Sequence, residues 1–164
     1  MNLTQWFENQ LQSSADGFVW GTEQVPHARR YAQPPDGLGE WSVARHAFHL
    51  LYYEQTLALP SMRQWIGEAP PPSDNLEERT WERTTTRDVE SLLGEFRKVR
   101  QQQIDLLARF DDRLWNTLQE TIWGPKTLLW VVSKTYQHTS EHINDVMRIG
   151  LFWDRFAERM KKNS

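Results

Sequence analysis

The amino-acid sequence predicts an all-α protein in which four amphipathic helices pack into one bundle. Apolar residues recur at helical spacing in four segments, and connections rich in proline or glycine separate these segments. No segment alternates apolar and polar residues over a length that would favour a strand. A chain of 164 residues is long enough to bury a core, so residues 1–164 are interpreted as a single domain.

The first helix is predicted from about Leu3 to Gln24, because apolar residues recur along it at helical spacing. Either Asn2 or Thr4 is suited to cap its N-terminus. The next segment, Val25 to Glu40, contains several prolines and glycines and is predicted to be a connection. His27 lies in this connection, and we expect it to be exposed to solvent.

Ser42 is placed to cap the second helix, which is predicted to continue to about Trp65. Pro60 lies inside this segment and is expected to kink or end the helix. A long connection then runs from Gly67 to about Thr86, with a short turn expected around Glu77 to Trp81. A crossover of this length would let the second and third helices run parallel to each other.

The third helix is predicted from about Asp88 to Phe110, again from the spacing of its apolar residues. The segment from Leu114 to Lys126 is interpreted as the last connection. The fourth helix is predicted from Thr127, which is suited to cap it, to Phe152. We expect Gly150 to interrupt this helix near its end, because glycine weakens helix interiors.

The composition excludes several kinds of site. The chain has no cysteine, which rules out thiolate ligands and disulfides and fits a reducing, cytoplasmic location. A net charge of −3 with both signs interspersed gives no electrostatic reason to expect a nucleic-acid partner. Neither a signal segment nor an apolar run long enough to span a membrane is present. The cations near the C-terminus, which include Arg155 and Arg159, are explained by the helix dipole.

Two histidines on the predicted fourth helix form the clearest candidate site. His138 and His142 are four residues apart, so they lie about 40° apart on the helix surface and can bind one metal ion together. Asp145 shares their face. It is either a hydrogen-bond acceptor for the free ring nitrogen of His142 or a solvated carboxylate.

The predicted second helix carries a matching set of residues, because His46, His49 and Tyr53 share one face. Helical geometry alone cannot choose between His46 and His49 as a metal ligand. His46 is otherwise a packed core histidine, a hydrogen-bond partner of a ligand or a proton shuttle. Tyr53 is either a core residue or a hydrogen-bond donor to a substrate oxygen.

With these residues placed, the chain resembles the DinB/YfiT-like superfamily of metal-binding four-helix bundles. The resemblance is carried by two groups of residues: Trp41-Ser42-Val43, His49-Leu50 and Glu54 on the second helix, and Thr127-Leu128 leading into His138-x3-His142 on the fourth. The spacing in this family selects His49, His138 and His142 as the three metal ligands. Glu54 also matches the family pattern but points about 140° away from His49, which favours a structural or solvated role.

The resemblance implies an up-down-down-up bundle, one divalent metal ion held by three histidines, and frequently a homodimer. Three neutral imidazoles leave a coordination position open for water or substrate. Zinc or nickel is the expected ion, and iron, cobalt and manganese are also compatible with nitrogen ligands. Alternatively, the histidines bind no metal, lie at the edge of the core and form hydrogen bonds to their neighbours.

We therefore predict a DinB-like metal-dependent enzyme, in which the three-histidine site activates a water or a thiol. Thiol S-transfer is suggested by analogy with relatives, and hydrolysis would use the same property of the metal. The expected partners are a small-molecule substrate, such as a low-molecular-weight thiol, and a second copy of the chain. The alternative is a non-catalytic metal-binding or stress-related interaction module that dimerises through a bundle face.

Overall fold

The computed structural model describes residues 2–72, 74, 76–84 and 88–163, and it is mainly helical, as the sequence predicts. The helices are α1 (Leu3–Gln24), α2 (His27–Arg30), α3 (Val43–Tyr53), α4 (Leu59–Arg63), α5 (Glu77–Thr84), α6 (Val89–Leu107) and α7 (Leu128–Asn163). A π-helical turn, Glu54–Ala58, joins α3 to α4, and short 3-10 turns occupy Gln64–Ile66 and Asp112–Leu114. Two short strands, β1 (Leu118–Thr121) and β2 (Gly124–Thr127), pair in antiparallel orientation.

Each of the four long helical segments begins at a capping residue, and three of these caps are ones that the sequence suggests. The side chain of each cap accepts a hydrogen bond from the backbone amide three residues further on, as N-caps do. The caps are Asn2, Ser42, Asp88 and Thr127. Asn2, rather than Thr4, therefore caps α1. These bonds satisfy amides that the first turn of a helix leaves without a partner, so the start of each segment is specified locally.

Pro60 does not end the second helical segment, although ending it is one of the two effects that the sequence predicts. Pro60 lies in the first turn of α4, where its missing N–H removes no hydrogen bond that the helix needs. The backbone departs from α-helical geometry in the π-helical turn directly before α4, and helical structure continues through Ile66.

The last helix also differs from the prediction, because Gly150 does not interrupt α7 and the helix continues to Asn163. A Cβ atom at this position would lie 3.4 Å from Cγ2 of Val25, which is ordinary van der Waals contact. The site would therefore accept a Cβ atom, and packing of α7 against Val25 compensates for the weak helix propensity of glycine.

The connections contain more regular structure than the sequence predicts. α2 lies in the first connection, where His27 is exposed as expected, and α5 extends the expected turn in the crossover to Thr84. The hairpin of β1 and β2 lies in the segment interpreted as the last connection. Its strands have four residues each, one containing Pro125, so they are too short to show an alternating pattern. Gly124 adopts a φ of 78° at the start of β2, which glycine permits.

The helices pack around one shared apolar core. α1 packs against α6 and α7, and α3 packs against the same two helices. The residues buried between them include Leu11, Phe18, Leu50, Phe96, Leu128 and Val132. Burying one such side chain completely stabilises the fold by about 1.5–3 kcal/mol. Within the described residues, no helix combines the length and apolar character needed to cross a membrane.

A buried ion pair joins three of the packed segments. Arg100 of α6 donates to Oε1 of Glu54 in the π-helical turn at 2.8 Å, and both side chains are fully enclosed. Gln103 donates to the other carboxylate oxygen, and Arg100 also donates to Oγ1 of Thr139 on α7 at 2.7 Å. Burial raises the pKa of Glu54, and Arg100 and the hydrogen bonds oppose this effect. Glu54 therefore has a structural role, one of the two that its helical position allows.

Candidate metal centre

Four histidines from two helices meet in one cluster. α3 contributes His46 and His49, and α7 contributes His138 and His142. The Nε2 atom of His138 lies 3.0 Å from Nε2 of His49 and 3.3 Å from Nε2 of His142. His49, His138 and His142 thus form a group whose ring nitrogens could hold one metal ion.

The hydrogen bonds at Nδ1 of His49 and Nδ1 of His142 limit where the protons of this group can lie. Nδ1 of His49 lies 2.8 Å from Oε1 of Glu77, so Nδ1 carries the proton and Nε2 presents a lone pair. Nδ1 of His142 lies 2.8 Å from Nδ1 of His46, and when His142 is the donor its Nε2 also presents a lone pair. Two acceptors then face Nε2 of His138, which can donate one proton at most. A shared cation would satisfy all three nitrogens at once.

The distances from Nε2 of His138 to the Nε2 atoms of its two partners also fit a small divalent ion. Zinc–nitrogen bonds of about 2.0–2.1 Å in a tetrahedral site place neighbouring ligand nitrogens about 3.3–3.4 Å apart. The observed spacings of 3.0 and 3.3 Å are close to this edge length. Three protein ligands leave one tetrahedral position open, as in catalytic zinc sites and unlike structural ones.

His138 and His142 are neutral at pH 7, which metal binding requires of them. Burial, the largest cause, acts together with neighbouring histidines and cations to lower the pKa of His138 to about 3 and that of His142 to about 2. Burial, together with His49 and Arg45, likewise lowers the pKa of His46 to about 4. Because neutral imidazoles present free lone pairs, protons compete only weakly with a metal ion at His138 and His142.

His46 and Asp145 form part of a second, overlapping group. The hydrogen bond at Nδ1 of His142 goes to His46 and not to Asp145, the acceptor that the sequence suggests. Ligand atoms of His46, His142 and Asp145 also lie close enough together to hold an ion. The two groups share His142. We favour the group with His49 and His138, because it supplies three imidazoles and leaves the hydrogen bond between His46 and His142 intact.

Replacing His46 with alanine is expected to leave about one equivalent of metal in the purified protein while weakening its binding. The expected loss is about 10–100-fold in affinity, the usual effect of removing a hydrogen-bond partner of a metal ligand. Elemental analysis and competition with a chelator measure the two quantities. His27→Ala, which removes an exposed histidine, is the control. Complete loss of the ion from His46→Ala would instead assign the site to His46, His142 and Asp145.

Glu77 is a residue of the cluster that sequence analysis did not identify. It begins α5 in the crossover and is only 8% exposed. Its Oε1 atom lies 2.8 Å from Nδ1 of His49 and 2.8 Å from Nη2 of Arg45. Arg45 is itself buried and lies over two tryptophan rings, so it holds the carboxylate in place. Glu77 can therefore orient the ring of His49, although its charged sequence context is typical of a solvated helix.

Replacing Glu77 with alanine is expected to lower metal affinity by about 10–100-fold, because His49 loses the acceptor that orients its ring. Glu78→Ala is a matched control: Glu78 also pairs with Arg45, but its side chain is 74% exposed and forms no hydrogen bond or ion pair with His49 among the described residues. Isothermal titration of metal into both metal-stripped variants measures the difference. Equal losses would show that pairing with Arg45, and not the contact with His49, supports the site.

A cavity of about 430 Å³ adjoins the cluster. Its lining is mainly apolar and includes His49, Tyr53 and Glu77, together with residues of the crossover and the turn between the two strands. The ring centroid of Tyr53 lies 4.1 Å from that of His138, and its buried hydroxyl has no partner within the described part of the chain. Burial raises the pKa of Tyr53, so the hydroxyl stays protonated and can donate a hydrogen bond.

Comparison with known proteins identifies the family of the chain. The sequence profile of the DinB superfamily matches residues 10–146, a range that includes all of α3 and both histidines of α7. No curated protein matches the chain at a significant level. The ring of Trp41, from the motif on which the resemblance rests, lies against His49 and His142. The family resemblance inferred from the sequence is confirmed: the chain belongs to the DinB superfamily.

Proposed function

We propose that the protein is a metal-dependent enzyme in which His49, His138 and His142 bind one divalent ion, and that a small molecule reacts in the adjoining cavity. The observation that carries this proposal is the convergence of three Nε2 atoms beside a cavity of about 430 Å³. A structural ion would be enclosed by four protein ligands, whereas three ligands and an open cavity favour exchange of the fourth.

The chain's own residues supply binding, orientation and a hydrogen-bond donor. The apolar lining of the cavity favours a substrate with an apolar body, because binding there removes its surface from water. Glu77 holds the ring of His49, and the protonated hydroxyl of Tyr53 is available to an oxygen of the substrate. A divalent ion in the site would lower the pKa of a water or thiol that binds it, which supplies a nucleophile near neutral pH.

Transfer of a low-molecular-weight thiol to an electrophile and hydrolysis both use this chemistry, and thiol S-transfer is the reaction favoured by analogy with relatives. Zinc or nickel is the proposed ion, and iron, cobalt and manganese bind the same nitrogen ligands. The proposal also retains the up-down-down-up order of the bundle and a cytoplasmic location. A homodimer is proposed as well, supported by large apolar side chains that α1 and α7 expose, such as Trp20 and Leu151.

The test is to purify the protein without an affinity tag or added metal, measure its metal content, and assay it before and after removal of the metal. One assay offers glutathione with an apolar electrophile, and the other offers an apolar ester. We expect about one equivalent of a transition metal and turnover in one assay that disappears on chelation and returns on reloading. His138→Ala is the control for metal-independent background.

Two other outcomes would separate the alternatives. One equivalent of metal without turnover in either assay would favour the non-catalytic metal-binding or interaction module. No metal, and none taken up on titration, would remove the enzyme proposal as stated and leave a helical interaction protein.

A further inference from the structure

A second cavity lies further along α7 than the histidines. Its volume is about 280 Å³. Three arginines and three apolar residues line it, and the lining contains no carboxylate: Leu38, Arg148, Phe152, Arg155, Phe156 and Arg159. We call it the arginine cavity. Five of these residues lie on α7. Arg148, Phe152, Arg155 and Arg159 are three or four positions apart and share one face of the helix, and Phe156 lies beside that face.

The wall of the arginine cavity is held by close packing of the connection between α2 and α3. Gly37 has a φ of 92°, and a Cβ atom there would lie 2.7 Å from Cε1 of Phe156. The backbone therefore lies directly on the Phe156 ring, at a distance that only glycine allows. Leu38 beside it is buried, and Nη2 of Arg148 donates to the Gly37 carbonyl at 3.3 Å. The cavity is thus shaped before any ligand binds.

The three arginines, Arg148, Arg155 and Arg159, form no ion pair with any carboxylate in the part of the chain that the structure describes, although other arginines of the chain are paired in this way. Asp145 lies about one turn before Arg148. Burial raises the pKa of Asp145 and Arg148 opposes this effect, so the two charges interact although they are not within ion-pair distance. The helix dipole acts only within about the last turn, and α7 ends at Asn163, so it does not explain Arg148 or Arg155.

We propose that the arginine cavity binds an amphiphilic anion, with a carboxylate or phosphate head against the arginines and an apolar body against the phenylalanines. Guanidinium groups bind planar or tetrahedral oxyanions through paired hydrogen bonds, and three of them at one cavity favour a negative head. Phe152 and Phe156 offer the apolar surface that an inorganic anion would not use. Soluble alkyl or acyl anions and anionic lipids both combine a negative head with an apolar body.

Octyl phosphate, used below its micelle concentration, is the probe that combines both features. Titration calorimetry on the full chain is expected to show one site, with inorganic phosphate and octanol each binding at least about tenfold more weakly. Arg155→Gln combined with Arg159→Gln is expected to weaken octyl phosphate binding at least about tenfold. Both arginines are exposed, so the bundle should remain folded, which circular dichroism verifies.

The matched control is Arg97→Gln combined with Lys98→Gln, which removes the same charge from an exposed part of α6 and should leave binding unchanged. Vesicles containing phosphatidylglycerol form a second arm. Binding to vesicles but not to octyl phosphate, lost only in the Arg155 and Arg159 variant, would support the proposal with a lipid as the source of the anion. The proposal would be overturned if the two double variants bound the probes equally well, or if the parent protein bound neither octyl phosphate nor the vesicles.

Discussion

Replacing His138 with alanine is expected to abolish stoichiometric metal binding while the helices remain folded. The variant leaves two imidazoles where three Nε2 atoms now converge, and the loss of a direct ligand should exceed the ~10–100-fold cost of losing an outer hydrogen bond. Helicity should persist because the apolar core between α1, α3, α6 and α7 does not include the histidines. Elemental analysis and far-ultraviolet circular dichroism measure the two effects.

This substitution also separates the two overlapping groups of possible ligands. His138 belongs only to the group with His49, whereas His142 belongs to both groups. His142→Ala should therefore remove the ion whichever group binds it, while His138→Ala should remove it only if our assignment is correct. About one equivalent of metal retained by His138→Ala would contradict the assignment. Loss of helicity in either variant would contradict the independence of the core, and His27→Ala is again the control.

Replacing Arg100 with methionine is expected to destabilise the fold by about 3–5 kcal/mol, because it leaves the carboxylate of Glu54 buried without its countercharge. Both side chains are fully enclosed, so water cannot compensate for the loss. The free energy of unfolding, from urea denaturation followed by circular dichroism, measures the effect. Glu54 lies between helical segments and not in the cavity lining, but Arg100 also lowers the pKa of the proposed ligand His138. The free energy of unfolding, and not the metal content, is therefore the readout for this variant.

The stability lost on replacing Arg100 with methionine should increase as the pH rises. Without Arg100, burial raises the pKa of Glu54 further, so the native state binds a proton that the unfolded state releases. Stability then falls as the pH rises above the ordinary range of a glutamate, and the difference between parent and variant should be larger at pH 8 than at pH 5. Comparing the two proteins removes the contribution of titratable groups that Arg100 does not influence; His138, whose pKa Arg100 lowers, is not one of them.

Combining Glu54→Gln with Arg100→Met supplies the control, because the double variant buries no charge at this position. It should recover part of the lost stability and lose the dependence on pH that Glu54 causes. A single Arg100→Met variant that loses less than about 1 kcal/mol would show that the ion pair contributes little to the fold.

The sequence by itself determined the features that depend on local interactions. Helical spacing of apolar residues and the capping side chains of Asn2, Ser42 and Thr127 are properties of short segments, so the helices and their starts could be predicted. The family spacing selected His49, His138 and His142, and their ring nitrogens do come together. The connections were less predictable, because the hairpin and α5 are too short to show a clear period.

Only the tertiary structure decided how residues far apart in the chain meet. Helical periodicity places His46 and His49 on one face, but the packing of α3 against α7 turns Nε2 of His49 toward His138 and Nδ1 of His46 toward His142. Glu77 follows His49 by 28 residues and looks solvated in its own segment. The angle and distance between packed helices set these contacts, and no local pattern in the sequence encodes that angle or distance.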